Sequence, residues 1–495
     1  MNDSPYHRPS GVTAMNRRDF LFSSGGGLGG IALASLLGQE SLLAAAPTSG
    51  ILHAPAKAKR VVQLFMAGAA SHVDMWDYKP LLEKKHGEKW DPGEAVELFQ
   101  SSPGSTFASP WKFKPYGKSG KMLSDIVAPI GDVVDDIAFV HDVVGRSGVH
   151  SQATLLQSTG FLIPGYPSVG AWVSYGLGSL NDNLPTFVVL PDTRGLPSNG
   201  QKNWDSAFLP GQNQATQVRV NAPKPIADLS PPPADYITPA GETQGLELLG
   251  KLNRAHADSH PGDPRLEARI RSYELAAKMQ LAAPDALDLS QESEKTQARY
   301  GIDNSTKVWP KEINVAEEED AFGRKCLTAR RLLERGVRFV QIYCGAENTG
   351  AKKIRPNWDS HEDLVRDHGY WGPILDNGAA ALLTDLKSRG LLDSTLVTCT
   401  SEFGRQPAAQ GKGRDHNSGA FTAWMAGGGI KGGSAYGSTD DLGAKVAENP
   451  AYCYDLHATA LHLLGVDHEK LTFYNNGAKR RLTDVHGHVI KPLLA

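Results

Sequence analysis

Cysteine is scarce in this chain, with four in 495 residues. Cys326, Cys344, Cys399 and Cys453 show no C-x-x-C spacing, which argues against a zinc knuckle and against a thioredoxin-like redox pair. Cys344 and Cys399 close apolar runs, where a free thiol behaves as a small buried hydrophobe. An excess of one charge is also missing. The formal net charge is −3 and the basic residues are scattered, so the electrostatic footprint of a nucleic-acid binder is absent and nucleic acid is set aside as a partner. No internal repeat is found, and no segment after residue 50 is apolar for long enough to span a bilayer. Gly427-Gly-Gly429 and Gly432-Gly433 lack the strand-turn-helix spacing of a phosphate loop, so nothing suggests a nucleotide or flavin site.

The first fifty residues read differently. Asn16-Arg17-Arg18-Asp19-Phe20-Leu21 opens a weakly apolar stretch rich in Gly, Ala and Leu, and Leu43-Ala-Ala-Ala46 before Pro47 offers small residues for cleavage. This resembles a twin-arginine signal, and Gly25 to Gly27 keep its apolar part less hydrophobic than that of an ordinary secretory signal. The expectation is passage through the twin-arginine translocase, cleavage, and release to the periplasm or the exterior with no stable membrane span. An uncleaved anchor is the alternative, disfavoured by the glycines and serines.

The rest is long enough for one very large domain or for two or three ordinary ones. Val61 to Gly68, Ile137 to Val140, Thr186 to Leu190, Val337 to Tyr343, Thr395 to Thr400 and Phe421 to Ala426 are short apolar runs of the kind that form buried strands. Between them, apolar residues recur three and four apart in Asp263 to Gln280, Glu317 to Arg335, Pro373 to Arg389 and Tyr454 to Leu464, which predicts helices. Gly336 and Gly390 stand where helix C-caps stand. Alternation of this kind predicts an α/β fold, a mostly parallel central sheet with helices on both faces. We expect one domain over residues 57–495, with an irregular insertion at about 190–244 that holds Pro231-Pro-Pro233.

In such a sheet ligands bind beyond the carboxyl ends of the strands, so the polar residues that follow each run are the candidates. His72 and Asp74 follow the first run. Asp359 and His361 follow the strand that ends near Tyr343. Glu402 and Arg405 follow Thr400, and Asp415 and His416 come shortly after. Carboxylates and imidazoles arriving from several strand ends are what a divalent metal requires. One such residue alone is more often a cap or a turn former. His457 and His462, five apart on one predicted helix, do not share a face and read as packing or surface residues.

Gly68-x-x-Ser-His-x-Asp74 with Lys79-Pro80, Trp358-Asp-Ser-His361, Ser401-Glu-Phe-Gly-Arg405, Gly413-Arg-Asp-His416 and Asp455-Leu-His-Ala-Thr459 together resemble the family catalogued as domain of unknown function 1501 (DUF1501). The resemblance runs from about Arg60 to the C-terminus. That family is similar in fold to the alkaline phosphatase and sulfatase superfamily, whose members hydrolyse phosphate or sulfate esters with one or two divalent metals. The resemblance implies Asp74, Asp359, His361, Glu402 and His416 as ligands of a divalent metal (Zn, Ca, Mg or Mn). It implies Arg405 as the group that holds an anionic substrate oxygen, because a guanidinium fork matches phosphate and sulfate.

Two positions depart from the superfamily. The sulfatase nucleophile, a cysteine ten residues before the glycine of a Thr-Gly pair, falls here on His150, counted back from Gly160. That leaves Ser151, Thr154 or a water activated by metal as the attacking group. Phe403 stands where the superfamily often has a histidine, with His150 or His72 as substitutes; a helix-start histidine bonded to backbone is the other reading of His150. The leading expectation is an exported, metal-dependent hydrolase of an anionic phosphate or sulfate ester, with His150, Ser151 and Arg405 in catalysis. The alternative is a noncatalytic secreted protein on the same scaffold that binds a glycan or a partner protein. Convergence of the acidic and histidine set in one coordination sphere discriminates the two.

Overall fold

In the computed structural model, which describes residues 51–93, 104–192, 195–227, 229, 238–260, 264–302, 315–346 and 356–495, the run Arg60–Met66 forms strand β1. The twin-arginine stretch lies outside the described residues. Successive side chains of β1 point to opposite faces, and both faces are apolar. Val62, Leu64 and Met66 enter one core cluster, while Val61, Phe65 and Ala67 enter another. Both faces therefore need a covering layer.

Among the described residues the sheet has eight strands. In chain order they are β1, β2 (Ile137–Val143), β3 (Phe187–Leu190), β4 (Thr216–Gln217), β5 (Phe339–Tyr343), β6 (Thr395–Ser401), β9 (Phe421–Ala426) and β10 (Ser434–Tyr436). The numbers between are taken by a separate hairpin, β7 (Gly404–Gln410) and β8 (Gly413–Asn417). Across the sheet the order is β10-β2-β9-β6-β1-β5-β3-β4. β1 pairs in parallel with both neighbours, Val62 opposite Val340 of β5 and opposite Val397 of β6. Only β9 runs against its neighbours β2 and β6, so the sheet is mostly parallel, as expected.

The helices that concern the site are α1 (His72–Met75), α2 (His150–Thr159), α3 (Val169–Leu177), α4 (Pro239–Asp258), α5 (Pro264–Leu287), α6 (Val315–Glu334), α7 (Leu364–Ser388) and α8 (Cys453–Leu463). Phe322 and Leu327 of α6 and Leu375 and Leu382 of α7 share one cluster with Val62, Leu64 and Ile342. Trp172 of α3 and Leu456 and Leu461 of α8 share the other with Val61, Phe65 and Phe339. Each large side chain buried in this way contributes on the order of 1.5–3 kcal/mol. All four cysteines are free and buried. Among the described residues no helix is long and apolar enough to cross a membrane.

Two boundaries differ from the sequence reading. Pro373 lies inside α7 rather than at its start. The helix begins nine residues earlier, at Leu364, because Asp363 caps it, accepting from the Arg366 N–H at 2.9 Å. The stretch at 190–244 is irregular over most of its described length, but β4 adds to the sheet edge and α4 opens at Pro239, capped by Thr238.

Candidate metal centre

The sheet delivers its chemistry at the carboxyl ends of β1, β5 and β6, and the hairpin closes over them. Two residues past the end of β1 stands Gly68, whose φ is +117° and whose absent Cβ would stand 2.9 Å from the backbone nitrogen of Asp359. Glycine is required there twice over, by its conformation and by the close approach. The loop that carries Asp359 and His361 is pinned by Trp358, which is fully buried and donates Nε1–H to the Cys344 carbonyl at 2.8 Å. The hairpin is laced to the same loop, with Gly413 N–H donating to the His361 carbonyl and Arg414 N–H to that of Ser360.

Four side chains meet. Asp359 Oδ1 lies 2.8 Å from His361 Nε2, 3.1 Å from His416 Nε2 and 3.3 Å from His150 Nε2. His416 Nε2 lies 3.1 Å from His150 Nε2 and 3.0 Å from His361 Nε2. The ligand atoms of His150, Asp359 and His416 all lie within 4.8 Å of one another. A tetrahedral ion with bonds near 2.1 Å spaces its ligands on the order of 3.3 Å apart.

The outer nitrogens set the direction of the inner ones. His416 Nδ1–H donates to the Gly148 carbonyl at 2.7 Å, His150 Nδ1–H to Glu402 Oε1 at 2.7 Å, and His361 Nδ1–H to Gln410 Oε1. A neutral imidazole with its proton on Nδ1 carries a lone pair on Nε2. With the rings neutral, the three Nε2 lone pairs lie beside Asp359 Oδ1, an arrangement able to hold a cation.

The electrostatics separate the rings, and His150 must give up a proton before its Nε2 can hold a cation. Burial lowers the His150 pKa, but hydrogen bonds to Asp359 and Glu402 and their charges outweigh it and push it up to about 10. Burial raises Asp359, yet the Arg405 charge and the histidine hydrogen bonds hold its carboxyl far below the usual carboxylate range. His416 is lowered to about 4 by burial. Side-chain exposure is graded, from 31% for Asp359 and 24% for His361 to 14% for His150 and 5% for His416. The cluster thus opens to solvent on the side of Asp359 and His361.

The remaining expected residues are placed as follows. Glu402, fully buried, lies behind the cluster, where it accepts from the Gly68 N–H at 2.7 Å and orients His150. Asp74 does not join. Both its oxygens are taken by Arg414, at 2.7 and 3.0 Å, and Ser71 adds a short hydrogen bond, because a fully buried carboxylate needs an opposite charge. Arg405 is engaged within the protein. It is fully buried, and its guanidinium donates to the carbonyls of Ala69, Gly68, Arg414 and Trp358 and to Asp359. Ser151 is the second residue of α2, and its carbonyl accepts from Asn199 Nδ2 at 2.6 Å. Thr154 is fully buried, with Oγ1 unpartnered, which removes it as an attacking group. His150 does start a helix, but its ring bonds to side chains rather than backbone. It joins the cluster, and Phe403 packs as an apolar floor 4.9 Å from the His150 ring and 4.7 Å from that of His416. His72 points elsewhere, Nε2 against the Gly443 carbonyl at 2.9 Å. Gln410 was missed. A glutamine in a hairpin strand carries no sequence signal for orienting a ligand.

Over residues 58–494 the chain matches the family model described as protein of unknown function (DUF1501). No curated protein matches. Among solved structures, similar folds include the phosphonate monoester hydrolase SpPMH from Silicibacter pomeroyi, at 10% identity and TM-score 0.36, covering 74% of this chain and 71% of that one. A sulfatase from Pseudoalteromonas sp. gives 10% identity and TM-score 0.33, covering 89% and 72%. The alkaline phosphatase from the Antarctic bacterium TAB5 gives 10% identity and TM-score 0.27, covering 77% and 94%. Likenesses this distant carry no argument about the reaction.

Proposed function

The chain belongs to the DUF1501 family, whose description names no reaction, and we propose from its site that it is a metal-dependent hydrolase of an anionic ester, phosphate or sulfate, acting outside the cytoplasm. The observation that carries the reading is the outward donation of all three Nδ1–H groups, which leaves the three Nε2 atoms gathered around Asp359 Oδ1, where a cation could sit between them. His150, His361, His416 and Asp359 are the proposed ligands of one divalent ion. Three imidazoles and one carboxylate suit zinc better than calcium or magnesium, which prefer all-oxygen shells.

A divalent ion at this point supplies Lewis-acid activation of water and of an ester oxygen. The protein's own share is orientation. Glu402 holds the His150 ring, the Gly148 carbonyl holds His416, and Gln410 holds His361. Arg405 pins Asp359 while tying its loop to Gly68 and Ala69, so the carboxylate is positioned before any substrate arrives. The exposed side of Asp359 and His361 is where an ester would approach. One domain over residues 57–495 remains our reading of the chain's organisation, preceded by an export signal.

The test is metal analysis by inductively coupled plasma mass spectrometry on residues 51–495, beside an Asp359→Ala, His361→Ala double variant. We expect about one divalent ion per chain in the parent and none in the variant, followed by release of phosphate or sulfate from model esters by the parent alone. A parent that binds no metal at neutral pH sinks the hydrolase reading and turns attention to a noncatalytic binding scaffold.

A further inference from the structure

A small pocket lies between β1, β5, β6 and β9 on one side and α2, α3 and α8 on the other. Its volume is about 40 Å³. Three of the side chains that line it are more than nine-tenths buried and each leaves one polar atom without a partner in the protein: Gln63 Oε1 on β1, Gln157 Nε2 on α2 and His457 Nδ1 on α8. Their chemistry is complementary. His457 Nε2–H donates to the Gln157 carbonyl at 2.9 Å, so its Nδ1 is an acceptor. Gln63 Oε1 is a second acceptor, and Gln157 Nε2 is a donor. Thr398 and Thr400 complete the polar part of the lining.

Size and polarity together decide what fits. A water needs roughly 10–15 Å³ of such space and two to four polar partners, and a space lined only by apolar groups stays dry. The volume is too small for an organic molecule and suits two or three waters. Leaving three buried polar atoms unpaired carries a penalty that the fold avoids if water reaches them.

We infer that this space is a structural water site, in which two or three waters bridge Gln63, Gln157 and His457. The bridged elements are those that build the metal centre: β1 leads to Gly68, and α2 begins at His150. The waters fasten the helix to the strand across a gap that side chains alone do not close. This inference does not depend on the reaction proposed above.

The test is a crystal structure of residues 51–495 at a resolution that shows ordered water, together with the thermal stability of Gln157→Met. We expect water density within hydrogen-bond distance of Gln157 Nε2 and His457 Nδ1, no xenon uptake there under pressure, and a Tm a few degrees lower in the variant. The opposite sign is diagnostic. In a dry space the Gln157 amide is an unpaired donor, and replacing it with methionine of similar length raises Tm. An empty space in the electron density, xenon bound in it, or a more stable Gln157→Met overturns the inference. Metal content of the parent is measured separately and does not bear on any of these outcomes.

Discussion

Asp142, on β2, is fully buried, and neither carboxylate oxygen finds a partner in the protein. Burial and the charge of Asp455 push its pKa up to about 7, against roughly 3.9 for a carboxyl in an unfolded chain. The folded state thus prefers the protonated form. Its stability contribution is whole below about pH 4 and is lost as pH rises through 7. Asp142→Asn, which cannot ionise, is expected to raise Tm by a few degrees at pH 8 and by almost nothing at pH 4, measured by calorimetry at both values. Asp74 makes the reverse case. Its carboxylate is neutralised by Arg414, both side chains being fully buried. Removing one member of such a pair strands the other charge and costs about 3–5 kcal/mol. Asp74→Asn is therefore expected to lower Tm sharply while leaving the metal content of the surviving folded protein unchanged. Loss of metal with Tm intact would return Asp74 to the ligand set.

At the level of elements, the metal centre depends on how closely β1 and the 356–363 loop approach. Gly68 sets that distance: a methyl group at its Cβ position would fall 2.9 Å from Asp359 N and 3.1 Å from Trp358 Cβ, on a backbone with φ of +117°. Gly68→Ala is expected to cost about 1–3 kcal/mol from backbone strain alone and to weaken metal binding at least tenfold by displacing Asp359, read out by titration with zinc. The same variant with unaltered metal affinity would show that the loop finds another route to the ligand geometry. α7 shows why helix starts are hard to read. Pro373 is a good first-turn residue, but Asp363 with its side chain on Arg366 N–H outcompetes it, and the buried face of Leu364, Tyr370 and Trp371 extends the helix backward.

For the whole molecule, the proposed ligands come from the loop after β5, the hairpin and the start of α2, elements far apart in sequence. Anything that binds only the folded state stabilises it by mass action, about 2.7 kcal/mol at a hundredfold excess over Kd. Removing metal with a chelator is expected to lower Tm by several degrees, and adding zinc back to restore it, measured at fixed protein concentration. An unchanged Tm would mean that the cluster binds no ion under those conditions.

The six apolar runs, the alternation with helices and the polar residues at strand ends were legible from residue type alone, because period and burial are local properties. So were Asp359, His361 and His416 as members of one site, since imidazoles and carboxylates after strands have few other uses together. What the chain order could not decide is which polar side chains face one another. Asp74 and Arg414 are 340 positions apart and neutralise each other, and Arg405 spends its guanidinium on backbone carbonyls that only the folded hairpin brings near. His150 joins the cluster because α2 starts above Phe403, and Glu402 lies behind it because a carboxylate so deeply buried bonds to the nearest donors, the Gly68 N–H and His150 Nδ1–H. Residue type determines what a side chain can do. Burial and the partners within about 3 Å, which exist only in the tertiary structure, decide which of those things it does.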